Sequence, residues 1–120
     1  MRSLPQIELE TKHHFSRGMY CRELFIPAGV CLVGKAHKRE HFFMLLKGRL
    51  LLSDGADTKE VSAPAVFACA PGTKRAGLAL EDVVCVNVHR TDLTDLDAIE
   101  AEQIEPDDLA LFDAHNKVLT

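Results

Sequence analysis

The chain has no tryptophan, one tyrosine, four cysteines with no CxxC pair among them, and no apolar run near the roughly 18–20 residues that span a bilayer. Each absence closes a class. A membrane-spanning helix is not expected. Without paired cysteines, or a histidine at finger-like distance from a pair, neither is a structural zinc finger. GxSxG, P-loop and helix-opening GxGxxG motifs are all missing, so the familiar hydrolase and nucleotide-binding signatures do not apply. Residues 1–10 lack the apolar stretch of a secretory signal, which makes a cytoplasmic location the expectation. Cys21, Cys31, Cys69 and Cys85, each in or beside an apolar stretch, are then expected as free thiols behaving as small hydrophobes.

What is present is an ordinary globular composition: 120 residues, 47% apolar and 27% charged, enough for one domain. The net charge of −4 is unevenly spread. Residues 1–91 carry 13 Lys/Arg against 9 Asp/Glu, whereas residues 92–120 carry Lys117 against 9 acids. A basic excess this small, with no Arg/Lys run, does not mark a nucleic-acid binder.

Residues 1–91 read as short strands between turns. Strands are expected at Met19–Ile26, Val30–Val33, His41–Leu46, Arg49–Ser53, Ala65–Cys69 and Asp82–His89, with weaker signals at Ile7–Glu10, Glu60–Ser62 and Ala76–Leu80. Pro27-Ala28-Gly29, Lys47-Gly48, Asp54-Gly55 and Pro71-Gly72 are the turn signals. Even spacing without a helical period argues for an antiparallel sandwich or barrel. His41–Leu46 (HFFMLL) is apolar at nearly every position, so both of its faces should be covered, the outer one by a second sheet or by another subunit. That is the ground for expecting a homo-oligomer, a dimer or larger. Beyond residue 91 the period lengthens. Leu93, Leu96 and Ile99 recur every three residues, Thr94 and Asp97 form a capping pair, and Pro106 opens a second short helix carrying Leu109 and Phe112. The division is therefore a β-domain over 1–91 and an acidic helical extension over 92–120, packed on it.

Residues 29–48 carry a spaced pattern, Gly29-x5-Lys35-x-His37-x3-His41-x6-Gly48. Residues two apart on a strand share a face, so Lys35 and His37 point the same way, and a short turn lets His41 on the next strand face the same interior. The spacing resembles the first signature of the cupin superfamily, a glycine, five residues, His-x-His, three or four residues, Glu, six residues and a glycine. The residue types differ: Lys35 stands at the first His position and His41 at the Glu. The second signature is matched more loosely, with Gly72 at its turn glycine, Arg75 at its metal-binding His and Ala79 where an Asn would be. The stretches HHFSRGMYCRELFIPAG, GKAHKREHF and APGTKRAGLALED also resemble small single-domain cupins of phages and bacterial genomes. The resemblance implies a mainly β fold, a jelly-roll barrel with one cavity and a short C-terminal helical extension. It also implies phage provenance, with the cytoplasm of a bacterial host as the location.

Two uses of the cavity follow. In the first, Lys35, His37, His41 and Arg75 make a cationic lining for a small carboxylate or phosphate, Arg75 giving a bidentate contact. Tyr20, Phe25 or Phe43 would supply the wall; in a purely structural or interaction role the pocket would instead be filled by salt bridges from Glu23 or Glu40 to Lys35 or Arg75. Tyr20 and Glu23 complete the candidate ligand-binding set. In the second, His37 and His41 hold the divalent transition metal that the resemblance implies (Fe, Mn, Ni or Zn), as in a metal-dependent isomerase or dioxygenase. Arg75 cannot ligate and Lys35 only when neutral, so a third ligand is needed, from His14, Glu23, Glu40 or His89. Strand alternation sets His89 on one face with Val83, Cys85 and Asn87, which makes it one candidate; His14 is another. Of the adjacent pair His13-His14, at most one can face a cavity, and a surface loop is expected there. The phage-like resemblance adds a third use, sequestering a host small molecule or nucleotide signal, or binding a host protein. The expected partner is a small anionic ligand, with no nucleic acid and no membrane.

Overall fold

Alternation decides which side chains meet. In a computed structural model of the chain, describing residues 9–34, 36–54 and 57–104, the strands in order are β1 (Glu10–Ser16), β2 (Met19–Ile26), β3 (Cys31–Val33), β4 (His41–Lys47), β5 (Arg49–Ser53), β6 (Thr58–Ser62), β7 (Ala65–Cys69), β8 (Ala76–Ala79) and β9 (Val83–Arg90), followed by helix α1 (Leu96–Gln103). Two antiparallel sheets result, one ordered β1-β2-β9-β4-β7 and one ordered β3-β8-β5-β6. The fold is mainly β and of jelly-roll type, though the two sheets do not close into one hydrogen-bonded barrel among the described residues. None of the described helical residues forms a span long and apolar enough to cross a membrane.

The inward faces of β2, β4 and β9 are apolar at one end and polar at the other. Leu24, Ile26, Leu45, Val83 and Cys85 join Leu50, Val61 and Ala79 of the smaller sheet in a buried core. Toward the opposite end, the same alternation brings in Tyr20 and Arg22 from β2, His41 from β4, and Asn87 and His89 from β9. The core thus fixes the strands whose far ends carry the polar cluster. The β4–β5 turn that sets this register depends on Gly48, at φ +89, where a Cβ would run into the Asp82 carbonyl.

Two expectations are corrected. His13-His14 lies within β1 rather than in a loop, because Lys12–Phe15 pairs residue by residue with Tyr20–Glu23. The helix is capped by Asp95, whose carboxylate accepts from the Ala98 N–H at 3.0 Å, rather than by Thr94. Of the two covers expected for the outer face of β4, no second sheet lies on it among the described elements: Phe42 is 51% exposed, and Leu46 and Val66 are exposed beside it. The proposed second helix, with Pro106, Leu109 and Phe112, lies outside the described residues. All four cysteines are free, as anticipated, and Cys69 and Cys85 are buried. Burial pushes the Cys85 thiol up to about 12, which leaves it inert at neutral pH.

Candidate metal centre

His37, His41 and His89 converge at the polar end of the sandwich. Each offers one ring nitrogen, and the three nitrogens lie within 4.8 Å of one another. The ring centroids are 3.9 Å apart for His37 and His41, and 5.0 Å from each of these to His89. His41 and His89 are neighbours on paired strands, since β4 and β9 run in register through Phe42 and Val88. His37 comes from the loop before β4. Its carbonyl accepts the Gly72 N–H at 2.8 Å, and it bridges Ile104 at the end of α1.

Nε2 of His41 meets Oδ1 of Asn87 at 3.1 Å. An oxygen partner makes Nε2 the protonated nitrogen and leaves the lone pair on Nδ1. That Nδ1 is buried and has no hydrogen-bond partner, and the same holds for Nδ1 of His89. A buried nitrogen left so costs about 1–3 kcal/mol, which a bound ion would recover. Burial, followed by the His41 and Arg22 charges, lowers the His89 pKa to about 4. Burial also lowers that of His41, against the opposing pull of the Asn87 side chain and the Arg39 backbone. Both imidazoles are therefore neutral at pH 7, the state a metal requires.

Tyr20 packs against this cluster. Its ring stacks on His89 at 5.8 Å, and its hydroxyl shares a 2.6 Å hydrogen bond with Nδ1 of His13. Between the histidines and α1 lies a cavity of about 30 Å³. Tyr20, Arg22, His37 and His89 line one side of it; Leu96, Ile99, Glu100, Gln103 and Ile104 line the other. Such a volume admits a water or two, not an organic anion.

The remaining sequence candidates fall elsewhere. Arg75 is near the cluster but donates to Sγ of Cys69 at 3.3 Å, and Cys69 is the cross-strand partner of His41. Glu23 and His14 bond each other at 3.0 Å, and strand parity puts both on the face opposite Tyr20 and Arg22. They do not reach the histidines, which corrects Glu23 as lining and His14 as third ligand. Phe25 shares that outer parity, while Phe43 packs on Phe67 at the core. Glu40 is exposed, and Lys35 lies outside the described residues. Asn87, Arg22 and the α1 side chains are the parts not foreseen. Alternation already set Asn87 beside His89, but no local signal brings a distant helix onto His37.

No protein-family model matches the chain, and no curated protein matches it. Solved structures do. A cupin-2 domain protein of Shewanella frigidimarina superposes with a TM-score of 0.59 at 10% identity, over 75% of this chain and 88% of that one. KdgF from a Halomonas species gives 0.60 at 12%, over 69% and 80%. The cupin domain of Schizosaccharomyces pombe Cnp3 gives 0.60 at 22%, over 76% and 71%. At these identities the likeness shows the fold, and the fold is that of the cupins.

Proposed function

We propose that this cupin-fold chain binds one divalent transition metal ion through His37, His41 and His89, and acts on or holds a small ligand there. The observation that carries the reading is the grouping of His37, His41 and His89, one ring nitrogen of each within 4.8 Å of the others, with a buried, unpartnered Nδ1 on both His41 and His89. Three neutral imidazoles from protein, with a position left over, are the donor set of catalytic rather than closed structural sites, and imidazole suits Zn, Fe, Ni and related ions. When bound, such an ion supplies Lewis-acid or redox chemistry; the chain supplies orientation. The Asn87 amide fixes the His41 tautomer, the Gly72 turn and Ile104 hold His37, and Leu96 and Ile99 exclude water from the cavity side.

An anionic ligand remains the preferred second component. Arg22 in the cavity wall and Arg75 beside His41 are the described cations that favour it. Because the cavity is small, an organic anion would need α1 to move. Elemental analysis of protein purified without chelator tests the metal directly. About one ion per chain is expected in the native protein and far less in His89→Ala. Metal-free native protein that also fails to take up added Zn²⁺ would refute the reading and leave the anion-binding alternative.

A further inference from the structure

Three neutral imidazoles contribute no charge against a dication, and Arg22 and Arg75 add positive charge close by. Three imidazoles suffice to hold an ion, but in that setting a nearby carboxylate would offset the positive charge and tighten binding. Glu23 and His14 are on the wrong face, and Glu40 is exposed. Among the described residues that line the cavity, Glu100 is the one acid. We infer that Glu100, on helix α1, is the carboxylate that completes the metal site, so that loading the ion and docking the helix are one event. This rests on the histidine reading above.

The placement follows from helical periodicity. Leu96, Ile99, Glu100 and Gln103 share one face of α1, and that face is the cavity wall. Two hydrogen bonds then tie the helix to the residues following two of the histidines: the Lys38 N–H donates to the Gln103 carbonyl at 2.6 Å, and Nε2 of Gln103 donates to the Arg90 carbonyl at 3.0 Å. Glu100 is thereby held opposite His37 and His89 by the backbone on either side of the cavity. Its carboxylate is not among the atoms gathered within 4.8 Å, so it acts across the cavity, through a single water or after a side-chain rotation. Leu96 and Ile99 on either flank lower the local dielectric, which strengthens its attraction to a cation. No such role is visible in the order of residues, because Glu100 stands among 9 acids in the last 29 residues.

The test is titration of the full chain with Zn²⁺ by calorimetry under chelator competition, with hydrogen exchange of the α1 amides measured in parallel. Glu100→Gln should lower Zn²⁺ affinity about 10- to 100-fold, the range for a supporting carboxylate. Asp97→Asn, which removes an exposed acid on the same helix that does not line the cavity, should change it less than about threefold. Zn²⁺ should slow α1 exchange in the native chain. A Glu100→Gln affinity equal to native, or an equal loss in Asp97→Asn, overturns the inference and leaves the histidine site standing. A native chain that takes no Zn²⁺ removes both. Should Glu100→Gln not fold, α1 exchange in the native chain decides: unchanged protection on loading overturns the coupling.

Discussion

His89 makes the metal-free protein acid-sensitive in a calculable way. The ring is 5% exposed and its folded pKa is about 4 against an unfolded value of 6.5. Above pH 6.5 it is neutral in both states and contributes no pH dependence. As pH falls the unfolded chain takes the proton first, so stability is lost progressively from 6.5 downward and levels off below the folded value. Linkage gives a loss of about 1 kcal/mol at pH 5.5 and about 2 kcal/mol at pH 4.5, both relative to pH 7. His41 is shifted the same way and adds to the slope. The perturbation is His89→Gln, which keeps a polar side chain of similar reach and removes the titration. Urea unfolding of chelator-treated protein at pH 7.0, 5.5 and 4.5 reads it. The native chain should lose about 2 kcal/mol more than the variant between pH 7.0 and 4.5, to within the ~1 kcal/mol that a unit of pKa represents. Parallel pH profiles would falsify the claim that His89 is held neutral by burial.

Other outcomes follow from single residues. Gly48→Ala sets a Cβ against the Asp82 carbonyl and the Val83 side chain in a left-handed turn; it should cost at least about 2 kcal/mol, read by urea midpoint, and a smaller loss would mean the turn relaxes. Gly72→Ala meets no atom within 4 Å but sits at φ +80. Strain of about 1–2 kcal/mol is expected there. Because the Gly72 N–H bonds the His37 carbonyl, Zn²⁺ affinity should fall while the β circular-dichroism signal persists; unchanged affinity would remove the turn from the site's support. The exposed outer face around Phe42, Leu46 and Val66 should bury itself in a second copy of the chain. Sedimentation should then show native oligomers and a monomeric Phe42→Asp; a native monomer at micromolar concentration contradicts this.

How much was legible depended on range. Strand β2 appears at its expected bounds because eight residues between Gly18 and Pro27 carry enough local pattern. Parity within one strand was equally readable, and it set His89 and Asn87 on a common face before any pairing was known. Parity between strands was not. That Glu23 and His14 oppose Tyr20 depends on the β1–β2 register, which a loop reading of His13-His14 could not supply. The cap moved from Thr94 to Asp95 because either residue is a competent acceptor, and tertiary placement of Leu96 and Ile99 chose between them. The spaced Lys35, His37, His41 pattern pointed to the loop and strand that carry two of the three grouped rings. Its basic residues suggested charge there, whereas the pKa values of His41 and His89 are lowered. Burial makes that difference, and no count of basic residues contains it.

The central claim is that His37, His41 and His89 hold one ion. A crystal of the Zn²⁺-loaded full chain, measured above and below the zinc absorption edge, addresses it most directly. The account predicts one anomalous peak with a nitrogen of each of the three histidines at about 2.0–2.1 Å. A peak elsewhere, or one held by fewer than all three rings, would contradict it.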